Sequence, residues 1–325
     1  TARSERGGSV RAPGNLGRLG RKGVSRVVSR LYRDGAGGPK EAVIVAGVAR
    51  SGTTWLAEVL ASQLHGRLMF EPFHPSYVPG FEAFEYLQYM RRHGDAPDLE
   101  GFVSRVLSGE VRDPEWVDRM VSVLRPEVRI VKAVRANLML RWILDRFPGT
   151  PTLLIVRHPC AVVASFAKLG WSARRDLDSI LRQDDLLDDH LRDVSGILES
   201  PLSAHQEVAV VWCVNHRVVL NQCSGSKLIG VHYEDLVNRP EGELPRIFEA
   251  IGRDYDETVY KTLRRPSRTT LSVPARDHGA GRDAEWFRAL GASRVSDIQE
   301  IVAAFGLDHL YVEGGRPTGR LRQDV

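Results

Sequence analysis

Val43-Ile44-Val45-Ala46-Gly47-Val48-Ala49-Arg50-Ser51-Gly52-Thr53-Thr54-Trp55-Leu56 is the stretch on which the reading of this chain turns. Its apolar run predicts a buried strand and its glycines a tight turn, after which Trp55, Leu56, Val59, Leu60 and Leu64 recur at helical spacing. Strand, glycine turn and helix start together aim free backbone N–H groups and the positive end of a helix dipole at one point, which suits an anion such as phosphate. Arg50 adds a positive charge there, and Ser51, Thr53 and Thr54 add hydroxyls. An ordinary strand-to-helix turn capped by Ser and Thr has the same ingredients.

Gly47 and Gly52 keep the spacing of G-x-x-x-x-G-K-[ST], but Thr53 stands where that motif carries its Lys. The contact to the outer phosphates of a nucleoside triphosphate is then missing, which argues against metal-coupled phosphoryl transfer. A second segment, Thr152-Leu153-Leu154-Ile155-Val156-Arg157-His158-Pro159, has the unbroken apolar run of a central strand covered on both faces. Pro159 suits the first turn of a following helix, and Ser165 falls about two turns into it. Arg157 is thus expected at the carboxyl end of a strand, where open α/β sheets bind ligands.

Arg50-Ser51-Gly52-Thr53-Thr54-Trp55 closely resembles the 5′-phosphosulfate loop of sulfotransferases that use 3′-phosphoadenosine 5′-phosphosulfate (PAPS). Arg157 with Ser165 resembles the 3′-phosphate motif of that family, in the form closest to the carbohydrate sulfotransferases. Met69-Phe70-Glu71-Pro72 looks like their Phe-Glu-Pro segment, Val131-Lys132-Ala133-Val134-Arg135 like their Lys-Ala-Val-Arg strand, and Tyr233-Glu234-Asp235-Leu236 like their Tyr-Glu-Asp-Leu stretch. The resemblance covers about residues 41–312. It departs from the phenol and steroid branch, whose Lys-Thr-His segment has no counterpart His at Lys132-Ala133-Val134.

This resemblance implies an α/β, P-loop-like three-layer fold with a central parallel sheet flanked by helices. It implies PAPS as donor co-substrate, without a metal, held by Arg50, Ser51, Gly52, Thr53, Thr54, Trp55, Arg157 and Ser165. Trp55 would stack on adenine, the alternative being a core aromatic. Glu71 is the expected general base, Lys132 and Arg50 the cations that steady the departing phosphate, and His74 a second base. Glu71 could instead form an ion pair with Arg135 or Lys132. The expected acceptor is a hydroxyl of a carbohydrate or of another small molecule or natural product. Two other classes remain open: a P-loop small-molecule kinase, and a non-catalytic nucleotide-binding protein.

Composition sets the frame. In 325 residues, 42% hydrophobic and 26% charged content is that of a soluble enzyme. No window offers a transmembrane run. Three Cys (Cys160, Cys213, Cys223) fit a reducing compartment, hence a cytoplasmic expectation, although Thr1 leaves room for an N-terminal anchor. Residues 1–40 hold ten Lys or Arg against Glu5 and Asp34. They read as a flexible basic arm with a short amphipathic helix from Leu19 to Tyr32, able to touch an anionic membrane surface weakly. The remainder is net acidic and lacks a basic aromatic stripe, so no nucleic-acid partner is expected.

The expected organisation is the arm, a catalytic domain over 41–312 and a C-terminal tail over 313–325. Within the domain, 81–128 read as mostly helical, and Asp176 to Ser203 as an acid-rich mobile lid. In that lid Asp184, Asp185, Asp188, Asp189 and His190 read as a solvated face rather than a metal site. Val208 to Leu220 reads as a helix with Trp212 and Asn215 in the core. Arg264, Arg265, Arg268, Arg276 and Arg282 are candidates for a late basic loop, and 286–290 and 295–305 for closing helices.

Overall fold

The computed structural model describes residues 31–35, 37–265, 267, 282–312, 314–319 and 321. Its first strand, β1 (Ala42–Ala46), is buried along its whole length and leads through the Gly47–Gly52 turn into α1 (Thr53–Gln63). Then follow β2 (Arg67–Phe70), α2 (Pro97–Leu107), β3 (Arg129–Ala133), α3 (Leu140–Arg146), β4 (Thr152–Val156), α4 (Pro159–Leu169) and α5 (Arg174–Leu181). The chain closes with α6 (Ala204–Cys223), β5 (Leu228–His232), α7 (Tyr233–Asn238), α8 (Pro240–Ala250), α9 (Thr258–Leu263), α10 (Arg282–Leu290) and α11 (Ala292–Ala304).

The five strands form one parallel sheet in the order β2-β3-β1-β4-β5, with Val45 opposite Lys132 and Leu153. Alternation along β1 divides the core. Ile44 and Ala46 face a cluster that includes Trp142 and Trp212, while Val43 and Val45 face another built on Leu56, Leu60 and Leu153. Both faces are covered by helices, as a parallel sheet requires. This is the P-loop-like three-layer fold expected from the loop motifs. All five carboxyl ends lie along one edge, and that edge carries the site.

Buried charge fixes the opposite edge. Arg67 opens β2 fully buried, its Nε 2.9 Å from Asp118 and its Nη1 3.1 Å from Asp34. Arg129, opening β3, reaches the same Asp34 at 2.9 Å. Tyr32 is buried here too, its hydroxyl donating to Asp118. The packed fold therefore begins before residue 41, because Asp34 neutralises two cations that the strand starts bury. The expected helix from Leu19 lies outside the described residues apart from Leu31 and Tyr32. At the other end, Tyr311 bridges Pro317 and Leu321 is fully buried, so part of the expected tail belongs to the fold.

Residues 81–128 depart from the helical expectation, since only α2 is an α-helix there. The reason is local. Leu87 N–H donates to Ser179 Oγ at 3.1 Å and Tyr89 N–H to Gln183 Oε1 at 2.7 Å. Side chains of and just beyond α5 thus satisfy backbone groups that a helix would pair internally. The expected lid is anchored, with Leu177, Ile180, Leu186, Leu191 and Val194 all buried. Its acidic side chains form exposed ion pairs, Asp185 and Asp189 with Arg91 and Asp188 with Arg192. Among the described residues no helix is long and apolar enough to cross a membrane.

Candidate active site

The loop between β1 and α1 is held open by two devices. Gly52 sits at φ 95°, and a Cβ there would lie 2.6 Å from the Tyr233 ring. Asn137 Oδ1 accepts the Gly47 N–H at 3.0 Å, while its own amide donates to Asn215 Oδ1 at 3.0 Å. Arg50 takes a left-handed φ of 71°, uncommon for a residue with a side chain. No side chain caps the start of α1. Its first-turn N–H groups, with the Thr53 and Thr54 hydroxyls beside them, are therefore left for a ligand. Ser51 Oγ is buried and has no hydrogen-bond partner among the described residues.

The second loop meets the first. Arg50 Nε donates to Ser165 Oγ at 3.0 Å, and Arg157 Nη1 donates to the Arg50 carbonyl at 3.0 Å. Burial and the neighbouring Arg157 cation both pull the Arg50 pKa down. Neither guanidinium has a carboxylate in salt-bridge contact among the described residues, and Arg157 Nε is buried without a partner. Two cations held this close without a salt-bridged carboxylate among the described residues suit an anion. Behind them, Glu234 accepts the His158 N–H at 2.9 Å and the Tyr311 hydroxyl at 3.1 Å, fixing the turn after Arg157. Burial lifts the Glu234 pKa to about 7. Trp55 is buried in the apolar cluster on the α1 side, its indole N–H bonded to the Leu263 carbonyl at 3.0 Å and its ring edge-on to Tyr233.

Glu71 and Lys132 come together at the ends of β2 and β3. Lys132 Nζ lies 2.5 Å from Glu71 Oε1, and Arg135 pairs with Oε2. Burial pushes the Glu71 carboxyl up, but Lys132 and Arg135 outweigh it and hold the pKa at about 2. Glu71 also has a left-handed φ of 45° and takes the Lys132 carbonyl on its N–H. Both ion pairs that the sequence allowed as alternatives for Glu71 are therefore formed at once.

Beside the loop opens a cleft of about 510 Å³. Val48 and Ala49 bound it on the loop side, and His74, Arg135 and Asp176 also line it, whereas Glu71 does not. Burial, reinforced by Arg135, lowers the His74 pKa to about 3, so its imidazole is neutral at pH 7. Asp176 makes no hydrogen bond or ion pair among the described residues. Burial raises its pKa to about 6, against the pull of Arg135 and Arg175.

The structure thus brings Arg50, Ser51, Gly52, Thr53, Thr54, Arg157 and Ser165 to one place and Glu71, Lys132 and His74 beside it. Sequence reasoning passed over the parts played by Asn137, Tyr233 and Asp176. The last lay at the start of an acid-rich run, the one signal available for it. The expected late basic loop falls largely outside the described residues. Arg264 and Arg265 are described and exposed, at the end of α9.

Residues 42–257 match the family described as the sulfotransferase family. No curated protein matches the chain. Among solved structures, the chain is similar to the sulfotransferase domain from the curacin biosynthetic pathway, at 16% identity and a TM-score of 0.44, covering 84% of this chain and 99% of that one. A sulfotransferase of Mycobacterium tuberculosis H37Rv is 12% identical over 87% of this chain and 81% of its own, with a TM-score of 0.40. Retinol dehydratase in complex with androsterone and inactive cofactor PAP is 15% identical over 88% of this chain and 84% of its own, with a TM-score of 0.38.

Proposed function

The chain belongs to the sulfotransferase family, and we propose that it transfers a sulfuryl group from PAPS to a hydroxyl of a small-molecule acceptor. The observation that carries this reading is the pair Arg50 and Arg157, without a salt-bridged carboxylate among the described residues, joined to Ser165 through Arg50 and flanked by a Ser51 Oγ without a partner there. That cradle suits a nucleotide with phosphates on both the 3′ and 5′ oxygens of its ribose. The first-turn N–H groups of α1, Ser51 and Arg50 would hold the 5′-phosphosulfate, and Arg157 and Ser165 the 3′-phosphate.

Bound there, PAPS supplies an electrophilic sulfur and a phosphate leaving group. The loop N–H groups, Arg50 and Lys132 are suited to receive the charge that grows on that phosphate, and their fixed placement means little reorganisation in the reaction. Glu71, tied to two cations with a pKa of about 2, is a weak proton acceptor; its part is to position Lys132 and Arg135. The acceptor proton goes to a group that faces the cleft. His74 and Asp176 both do, and Asp176, at about 6, is better matched to proton transfer near neutrality.

Calorimetric titration with 3′-phosphoadenosine 5′-phosphate, AMP and ATP–Mg²⁺ tests the donor site on the wild type and on Arg157→Ala. The 3′-phosphorylated nucleotide should bind most tightly. Arg157→Ala should remove about 1.5–3 kcal/mol of its binding and little of the binding of AMP. Equal affinity for AMP, or preference for ATP–Mg²⁺, overturns the reading and favours a kinase.

A further inference from the structure

The walls of the cleft say what kind of acceptor it takes. Six aromatic side chains border it: Tyr77, Tyr86, Trp116, Phe166, Trp171 and Trp212. Val48, Leu87, Val134, Val162, Val208 and Val211 fill the gaps between them. Two of the aromatics are exposed in a way that surface residues of their size seldom are, Trp171 at 50% and Tyr77 at 52%. Tyr77 stacks on Trp116 with centroids 4.0 Å apart, and Trp171 meets the edge of Phe166 while the Arg50 guanidinium sits 5.4 Å from its ring. Tyr77 and Trp116 thus offer the cleft a stacked aromatic pair, and Trp171 lies beside Arg50 of the phosphate loop.

Most polar groups in the interior of the cleft are spent within the protein. Asn215 donates to the Val211 carbonyl and accepts from Asn137. The indole N–H of Trp116 is bonded to the Glu71 carbonyl and that of Trp212 to the Arg157 carbonyl. Arg135 is engaged by Glu71 and Tyr86, and His74 Nδ1 accepts the Ser76 N–H at 3.2 Å. What remains among the described lining residues is, in the interior, the Asp176 carboxylate, the Arg135 Nε left without a partner and the far side of the His74 ring, and, at the exposed rim, the Tyr77 hydroxyl, the Trp171 indole N–H and the Ser172 hydroxyl as a donor. In that interior a polyhydroxylated ligand would leave hydroxyls buried against apolar walls without a bond. A ligand with an apolar body and one hydroxyl matches both the wall and the few free groups.

We propose that the acceptor is a phenol or alcohol on a flat apolar body, held between Tyr77 and Trp171 with its hydroxyl at the Asp176–His74 end, rather than a sugar. The inference rests on the sulfotransfer reading of the same site and narrows its substrate class.

The test is calorimetry on the full chain, alone and saturated with 3′-phosphoadenosine 5′-phosphate, using 2-naphthol, trehalose and N-acetylglucosamine as probes. The naphthol should bind and neither sugar should. Tyr77→Ala and Trp171→Ala, both at exposed positions, should each weaken the naphthol by about tenfold. Binding of either sugar in preference to the naphthol overturns the proposal, as does naphthol binding that both variants leave unchanged, or its absence. The nucleotide titration is read separately. If 3′-phosphoadenosine 5′-phosphate fails to bind, the donor reading falls, and the naphthol titration of the free protein still decides the character of the cleft.

Discussion

Arg50 Nε and Ser165 Oγ lie 3.0 Å apart, joining a turn and a helix across 115 residues of chain. The Arg is presented by the turn after β1, and the Ser by α4 after β4, the neighbouring strand. Adjacent strands therefore convert two distant sequence motifs into one anion cradle. Ser165→Ala should weaken binding of 3′-phosphoadenosine 5′-phosphate by about 1 kcal/mol, the ordinary worth of one hydrogen bond, and leave AMP unaffected. An equal loss for both nucleotides would place Ser165 at the 5′ end.

Gly52 is a sharper test of the loop. Its φ of 95° is strained for any side chain, and a Cβ would overlap the Tyr233 ring at 2.6 Å. Gly52→Ala should cost roughly 2–4 kcal/mol of stability from the combined strain and overlap. Urea unfolding measures it, and nucleotide binding should fall with it because the loop carries the N–H donors. Tolerance of Ala without loss of either would mean that the turn relaxes freely.

How much of this was legible in the sequence depended on whether a signal was local. The strand, turn and helix around Gly52 and the strand end at Arg157 are written in contiguous residues, so period and glycine placement sufficed. The segment 81–128 was not legible because its backbone is satisfied by Ser179 and Gln183, which no local pattern reveals. Asp34 belongs to the fold through Arg67 and Arg129, contacts that span 33 and 95 residues. Glu71 was found as a residue, but its double ion pair required knowing that β2 and β3 lie side by side. Asp176 stands out only once α5 is seen to border the cleft.

The Glu71 pairing has a consequence for stability. Its side chain is 12% exposed, against 4% for Lys132 and 14% for Arg135. Glu71→Gln leaves two buried cations facing a neutral amide, at a cost of about 3–5 kcal/mol. The pH dependence follows from a pKa of about 2 in the folded chain against an ordinary 4.5. The unfolded chain takes up the proton first as pH falls. The stabilisation is therefore complete above about pH 4.5 and is lost between there and about pH 2. Urea midpoints of wild type and Glu71→Gln should converge across that window. A gap that stays constant down to pH 3 would show that the carboxylate is not held by these cations.

Asp176 makes a prediction in turnover that separates it from the other two candidate bases. A general base must be deprotonated to act, so the acid limb of a pH–rate profile reports its pKa. Burial sets Asp176 at about 6, whereas His74 stands at about 3 and Glu71 at about 2. With 2-naphthol as acceptor, kcat should rise as pH passes through about 6 if Asp176 takes the proton. It should be flat from pH 5 upward on that limb if either of the others does. Asp176→Asn should lower kcat by roughly 10²–10⁴-fold and abolish the limb, while 3′-phosphoadenosine 5′-phosphate binds as before. A merely structural Asp176 would instead raise KM or lower stability and leave the limb in place. An acid limb that survives in Asp176→Asn would take the role from Asp176 and give it to His74 or to Glu71, and for Glu71 to serve, the two cations around it would have to be displaced in the donor complex.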